Sequence, residues 1–401
     1  MANGISAPNK VILDLLANSL FNAGLEIDCE AATLEELFKE AKAQTVLAVA
    51  FDALPKPYRD TNPEHYKKWQ GIAFKIAQLN IRQMNANVEL EKLFKSAGIP
   101  ICTIKGFASA YYYQKMHLRQ MGDIDFIVPD DMMGAGKNLL EENGFACSDE
   151  EEEHDFHIRH TKNGEIYEMH RGITSFLDDN GYIQKYISDI FEHTETVDFD
   201  GVSLTIPDKF SHGLVMLLHM HRHMIDGGGV GLRHLCDWAA FVDSIDNDDW
   251  NKIFKEKLSA VKLWRFAQVL SKTSAIFLKI KEKDWFKEIE SDLAQNLLED
   301  IIIGGNFGAK DHERYQEVAY LSQTEKDKNV FVKYFKNYVK KVGLWQPFYR
   351  EHKCFLPFGM VAYFFRTSFL LIFGKKKMDF SKMHENTTKR NNLYSDIFEL
   401  K

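Results

Sequence analysis

Cysteine is sparse in this chain of 401 residues. The five cysteines (Cys29, Cys102, Cys147, Cys236 and Cys354) lie far apart, with no Cys-x-x-Cys pair. An odd, dispersed set reads as reduced intracellular thiols rather than a disulfide framework or a zinc site. Positive charge is not in excess either. Lys and Arg number 50 against 58 Asp and Glu, giving a net charge of −8. That argues against a protein that coats nucleic acid, because such binding needs a positive field. Long apolar runs are missing. The longest, residues 360–373, contains Arg366 and falls short of the roughly 20 residues that a bilayer span needs. The first residues lack a basic stretch followed by an apolar run, so no signal peptide is expected and the expected location is the cytoplasm. No internal repeat is present.

What is there suits a globular protein. Hydrophobic residues make up 45% and charged residues 27%, and 30 Phe and 15 Tyr supply core material. The length suggests two or three domains, and the texture changes along the chain. Residues 1–98 carry apolar residues at three- and four-residue steps, as in Ile12, Leu15, Leu16 and Leu20, which predicts an N-terminal helical region. Its last helix, from about residue 63 to 97, follows a break at Leu54-Pro55-Lys56-Pro57. Residues 99–206 read differently. A short buried strand (99–104) is punctuated by Lys105-Gly106 and followed by a helix over 107–114. A β-rich stretch over 123–128 is stopped by Pro129, and a helix over 130–143 ends at Gly144. Two segments, 156–160 and 166–170, flank Asn163-Gly164, a strong hairpin signal. A further strand pair is expected within 194–206. Strands and helices in this order predict a small α/β or α+β domain ending near Arg171. Residues 207–300 are helical again, with helices near 208–224, 232–244 and 249–278. Residues 301–401 form a basic, aromatic helical region, and the acidic run 148–155 reads as a solvated loop.

The chemistry concentrates in Asp123-Ile124-Asp125. Residues i and i+2 of a strand point to one face, so both carboxylates share it while Ile124, Phe126 and Val128 face a core. Parallel carboxylates on an open face repel unless a cation lies between them, and hard oxygen donors suit Mg²⁺ or Mn²⁺. On the later hairpin strand, Glu168 and His170 share one face, and Tyr167 and Met169 the other. If the two strands are neighbours, Glu168 completes a two-metal cluster suited to in-line phosphoryl transfer.

Several motifs together resemble one family. These are Lys105-Gly106; Arg119-Gln120-Met121-Gly122-Asp123-Ile124-Asp125; Glu141-Glu142-Asn143-Gly144-Phe145; and Tyr167-Glu168-Met169-His170. They are similar to the uncharacterised bacterial nucleotidyltransferases of the DNA polymerase β-like superfamily, over about residues 100–240. The resemblance implies an α+β fold: a small polymerase β-like nucleotidyltransferase domain at 99–206, a mixed sheet with helices, flanked by N- and C-terminal helical regions, with a helical domain at 207–300 closing the cleft. It implies a metal-dependent transfer of a nucleoside monophosphate from an NTP such as ATP to a hydroxyl acceptor, with release of pyrophosphate. The acceptor class (small molecule, sugar, protein or RNA) stays open. Asp123, Asp125 and Glu168 would be the catalytic, Mg²⁺- or Mn²⁺-binding residues. Two departures stand out. Gly106 is followed by Phe107 where the superfamily commonly has serine, and the third acid is Glu168 where Asp is usual. They leave a second reading beside the enzyme: a non-catalytic nucleotide-binding or scaffold protein on the same fold.

Further residues join as nucleotide-binding candidates. Lys105 and Gly106 sit at a strand-to-helix turn, where backbone and charge attract phosphate. Arg119 either contacts phosphate in bidentate fashion or pairs with the aspartates to hold the loop. His170 is either a group beside the substrate or a satisfied strand-end histidine. His219, His221 and His223 tempt a zinc-hydrolase reading, but i and i+2 diverge on a helix and the Glu of an HExxH motif is missing. His219 and His223 share a face and would line the cleft. Arg233 and Asp237 match a Leu-Arg-x-x-x-Asp pattern of the family, or are a surface ion pair. The run Asp226-Gly227-Gly228-Gly229-Val230-Gly231 before that helix reads as a flexible turn, and Gly134-Ala135-Gly136-Lys137 sits inside a helix pattern. The stretch 333–377 could lie on a membrane surface, grip a polyanion, or form a buried helix with a charged end.

Overall fold

The computed structural model describes residues 5–147, 157–171, 183, 189–199, 202–226, 228–310, 338–339, 342, 345–346, 348–349, 352–373 and 380–398. The acidic run 148–155, Gly227, Lys340, Lys341, Arg350 and Lys375–Lys377 of the sequence reading lie outside these residues. The chain forms two compact units, Met1–Asp311 with Ile397–Lys401, and His312–Asp396. Segments 1–98, 99–206 and 207–300 all belong to the first.

The first unit opens with helices α1 (Ala7–Phe21), α2 (Leu34–Ala43), α3 (Leu47–Asp52), α4 (Lys56–Thr61) and α5 (Pro63–Ser96). Local chemistry sets their starts. Thr33 and Glu36 form a capping box on α2. Asn62 caps α5, with Pro63 at a position that needs no N–H donor. The C-terminal half of α5 lies against the sheet, where Leu90 and Phe94 join the core and the Phe94 ring meets Phe126 edge-on at 5.5 Å.

The sheet contains β1 (Cys102–Thr103), β2 (Ile124–Ile127), β3 (Ala146–Cys147), β4 (His157–Lys162) and β5 (Glu165–His170), in the order β1-β2-β5-β4-β3. Only the β2–β5 pair is parallel. The hairpin between β4 and β5 turns at Asn163 and Gly164, which have φ of 54° and 80°. Positive φ at both central residues is what a type I′ turn requires. Helix α6 (Phe107–Ala110) follows β1, and α7 (Met133–Glu142) covers one face of the sheet. Gly136 belongs to α7, and a Cβ there would meet the Met169 sulfur at 2.9 Å, so it is a packing glycine and not a phosphate loop. Ile124, Phe126, Val128, Ile158, Tyr167 and Met169 fill the core under α5 and α7.

A two-stranded sheet, β6 (Thr194–Phe199) and β7 (Val202–Pro207), packs Val197, Leu204 and Ile206 against Phe107 and Met84. Helices α8 (Lys209–Asp226), α9 (Leu232–Asp243), α10 (Trp264–Leu278) and α11 (Ser291–Gly304) complete the unit. The helix expected over 249–278 is divided, because the chain turns at Lys262 with φ 57°. The second unit contains α12 (Leu356–Phe373), and α13 (Phe380–Phe398) runs from it to the end of the described chain. Among the described residues, no helix is long and apolar enough to cross a membrane. The fold is the expected α+β one: a small mixed sheet flanked in sequence by helices.

Candidate active site

Strand β5 lies parallel beside β2 with Asp125 opposite Glu168. The two-residue period of a strand then puts His170 on the same face as Glu168, and Asp123 precedes β2 by one residue. These four side chains line a cavity of about 590 Å³. Lys105, Gly106, Arg119, His219, His223, Arg233 and Asp237 line the same cavity. Residues from five sequence segments are thus brought to one place.

Asp125 is buried. Its Oδ1 accepts hydrogen bonds from Lys105 Nζ at 2.8 Å and His170 Nε2 at 2.9 Å. Burial alone would raise its pKa, but Lys105 and His170 outweigh that and hold the carboxyl well below the usual range. Burial also pushes His170 down, so its ring is neutral and carries the proton on Nε2, because a carboxylate only accepts. Glu168 Oε1 accepts from Arg159 at 2.6 Å, its Oε2 lies 3.8 Å from His170 Nε2, and His157 Nε2 is 3.8 Å from Oε1. Asp123 behaves differently. Burial, then the charges of Asp125 and Glu168, raise its pKa. Three carboxylates crowded together are short of positive charge on the Asp123 side, which is the condition a divalent cation relieves. One ligand atom each from Asp125, Glu168 and His170 lies within 4.8 Å of the others. The carboxylate-rich donor set fits Mg²⁺ or Mn²⁺.

Gly106 turns the chain from β1 into α6 with φ 53°, and a Cβ there would lie 3.4 Å from the Asp123 carbonyl oxygen. A left-handed glycine here lets the turn lie close to the strand that carries the acids. Phe107, at the position where serine is common, faces away. It is buried against Phe199, with ring centroids 5.3 Å apart. Ser109, two residues on, lines the cavity.

Arg119 pairs with neither Asp123 nor Asp125. Its Nε and NH2 donate to the two carboxylate oxygens of Asp237 at 2.7 and 2.8 Å, and the Tyr113 hydroxyl donates to Asp237 at 2.8 Å. Both side chains of that ion pair are buried. Arg233 and Asp237 are therefore not a surface pair. Arg233 donates to the Gln120 carbonyl at 3.3 Å, lies 5.6 Å from the centre of the Phe307 ring, and leaves its Nε unpartnered. Its pKa is lowered by burial and by Arg119.

His219 and His223, one helical turn apart, meet edge-to-face, with ring centroids 4.4 Å apart and planes at 78°. His221 turns to the other side and packs on Phe398. The Phe307 ring lies 4.4 Å from His223 and 5.1 Å from His234. Burial first, then nearby cations including Lys105 or Arg233, lowers all three cavity histidines, His223 to about 4. They are neutral rings at neutral pH. Among the described residues, the groups of three side chains able to share an ion do not include them.

The sequence reading missed Arg159, His157, Ser109, His234 and Phe307. Arg159 was within reach of counting. A two-residue turn at 163 and 164 pairs 159 with 168, the register observed. Nothing local marks Phe307, which reaches the cavity from the 3-10 turn Asn306–Gly308, 184 residues beyond Asp123. Comparison with known proteins gives a partial match. No curated protein and no solved structure matches the chain. The family model described as uncharacterised nucleotidyltransferase matches residues 30–278, more than half of the length, and the chain belongs to that family.

Proposed function

We propose that this protein is a metal-dependent nucleotidyltransferase that moves a nucleoside monophosphate from an NTP to a hydroxyl acceptor and releases pyrophosphate. The observation that carries this reading is the parallel β2–β5 register, which sets Asp125 beside Glu168 on the cavity wall, next to Asp123. Those three carboxylates would hold Mg²⁺ or Mn²⁺. A bound cation of this kind favours deprotonation of the acceptor hydroxyl and offsets charge on the leaving pyrophosphate. His170 orients Asp125 through its Nε2–H. Lys105, now on Asp125, is the charge best placed to turn to the triphosphate once a cation takes over that carboxylate. The Gly106 turn brings its backbone beside the acids, and Arg233 has an unpartnered Nε to offer. The oxygen of the acceptor bonds to the α-phosphorus as the bond to the β-phosphate bridging oxygen breaks. The hydroxyl proton leaves to solvent or a carboxylate. The flat, neutral rings of His219, His223, His234 and Phe307 suit a base or another planar part of a substrate. Segment 207–300 supplies the three histidine rings and the turn Asn306–Gly308 the phenyl ring; in this reading they would close the cleft over the 99–206 domain.

A non-catalytic nucleotide-binding or scaffold role is the second reading. The Arg159–Glu168 contact at 2.6 Å favours it, since the third acid already has a cation. Calorimetric titration of each NTP with Mg²⁺ and with Mn²⁺, on wild type and on Asp123→Ala/Asp125→Ala, tests the site. Metal-dependent binding that disappears in the variant, together with pyrophosphate release by wild type, supports the enzyme. Binding without release supports the second reading, and equal binding by both proteins rejects the site.

A membrane surface is a further proposed partner, for the second unit. Helix α12 exposes Phe358, Val361, Phe364 and Phe365, with Phe358 71% exposed. Lys375–Lys377 follow it in sequence. An apolar face followed in sequence by basic residues suits the interface of an anionic bilayer.

A further inference from the structure

On the opposite face of the sheet from the carboxylates, three ligating side chains meet. His160 on β4 lies directly across the ladder from Cys147 on β3. Glu141 stands in the last turn of α7, which packs on β3. One donor atom from each lies within 4.8 Å of the others. The face is settled by register. Arg159 is opposite Glu168, on the cavity side, so its neighbour His160 points to the side of Ile158 and Tyr167, which are core residues. Sequence spacing gives no sign of this cluster, because its members come from a helix and two strands.

The His160 ring is completely buried, and neither of its nitrogens reaches good hydrogen-bonding geometry with a partner, although the Ile158 carbonyl is near enough to act on the ring. A buried polar group left without a good partner is destabilising. Burial keeps the ring neutral, the form that binds metal, and Glu141 opposes that shift only in part. On ligation through one nitrogen, a small adjustment would let the nearby Ile158 carbonyl accept from the other, the usual support for a metal-bound imidazole. Cys147 is half-buried and Glu141 exposed, so an ion can reach the cluster from solvent. Lys137, one turn before Glu141, is a nearby positive charge that works against a cation. A thiolate and a carboxylate together carry two negative charges and exceed it.

We propose that Glu141, Cys147 and His160 form a second metal site that takes Zn²⁺. Mixed sulfur, nitrogen and oxygen donors select zinc over the hard cations suited to the carboxylate wall. Three protein ligands leave the fourth position to water. The ion ties α7 to the β3–β4 edge and satisfies the stranded imidazole, so its role is to hold the sheet on the side away from the cavity.

Cobalt titration of the full chain, followed by absorption, tests this. Thiolate coordination gives a sulfur-to-cobalt charge-transfer band, which the cavity acids and His170 cannot produce. The expected result is one equivalent of cobalt per chain with that band, displaced by zinc. The band is lost in Cys147→Ser, weakened in Glu141→Gln and kept in Cys29→Ser, Cys354→Ser and Asp125→Asn. Zinc should also raise the unfolding temperature of wild type and not of Cys147→Ser. Neither Cys147 nor Glu141 is buried, so these variants test ligation without relying on a core substitution. No band in wild type, a band that survives Cys147→Ser, or equal stabilisation of both proteins by zinc overturns the proposal. Asp125→Asn reports separately on the carboxylate site, so failure of one site is distinguishable from failure of the other.

Discussion

Removing the Asp237 carboxylate should damage this protein more than any surface substitution, and the damage should be repairable. Arg119 and Asp237 are each only 7% exposed in the side chain and share two hydrogen bonds of 2.7 and 2.8 Å. Asp237→Ala leaves a guanidinium buried without its counter-charge, which costs about 3–5 kcal/mol. At about 2 °C per kcal/mol for a unit of this size, the unfolding temperature should fall by about 6–10 °C. Arg119→Met should cost a similar amount, by stranding the carboxylate. Arg119→Met/Asp237→Leu removes both charges, and buried ion pairs replaced by apolar groups are often near neutral. What remains is the Tyr113 hydroxyl, which loses its acceptor at about 1–3 kcal/mol. Adding Tyr113→Phe should recover that as well. Thermal unfolding followed by circular dichroism reads all four variants. Single losses below about 1 kcal/mol, or a double loss equal to the sum of the singles, would refute the reasoning. The double variant also separates two roles. Nucleotide binding retained in it makes the pair a clamp between α9 and the loop before β2, whereas binding lost from a stable protein makes it part of the nucleotide site.

Other outcomes follow from the same contacts. The raised pKa of Asp123 means that the folded chain holds that proton more tightly than the unfolded one, so metal-free stability falls as pH rises from the ordinary carboxylate range through the raised value. Asp123→Asn should therefore be more stable than wild type in metal-free buffer at neutral pH and lose that advantage below about pH 4. It should also fail to bind NTP with Mg²⁺; denaturation as a function of pH and calorimetry check the two halves. Glu168→Ala should lower transfer by at least about 100-fold with little change in stability, since Arg159 is 42% exposed and can be solvated. Phe358→Asp/Phe365→Asp should abolish co-sedimentation with anionic vesicles and leave unfolding unchanged, because both rings are already in water.

Sequence by itself determined the parts of this protein that follow from local rules. Alternation around Asp123 and Asp125 gave their shared face, Asn163-Gly164 gave the hairpin, and the three-to-four spacing gave the flanking helices. Each depends on neighbours a few residues apart, where backbone geometry leaves little choice. The strand was read too long at 99–104, where only Cys102–Thr103 is strand and the Ile104 N–H adds one bond to the Asp125 carbonyl, because ladder length depends on what the partner strand offers. The helix after Gly106 was read too long for a similar reason, since it ends at Ala110 before the chain turns toward Arg119. Arg119 shows the limit most clearly. Its position before the aspartates suggested phosphate or those same aspartates, yet a buried guanidinium needs the carboxylate that tertiary packing brings nearest, and that is Asp237, 118 residues away. The parallel pairing of β2 with β5 and the approach of Phe307 to the histidines are likewise long-range, and the meeting of Glu141, Cys147 and His160, though they are near in sequence, depends on how α7 packs on the β3–β4 pair. Local sequence chemistry decided which groups could act; only the closing of the chain on itself decided which of them face one another, because charge and hydrogen bonding operate over a few ångströms of space whatever the separation along the chain.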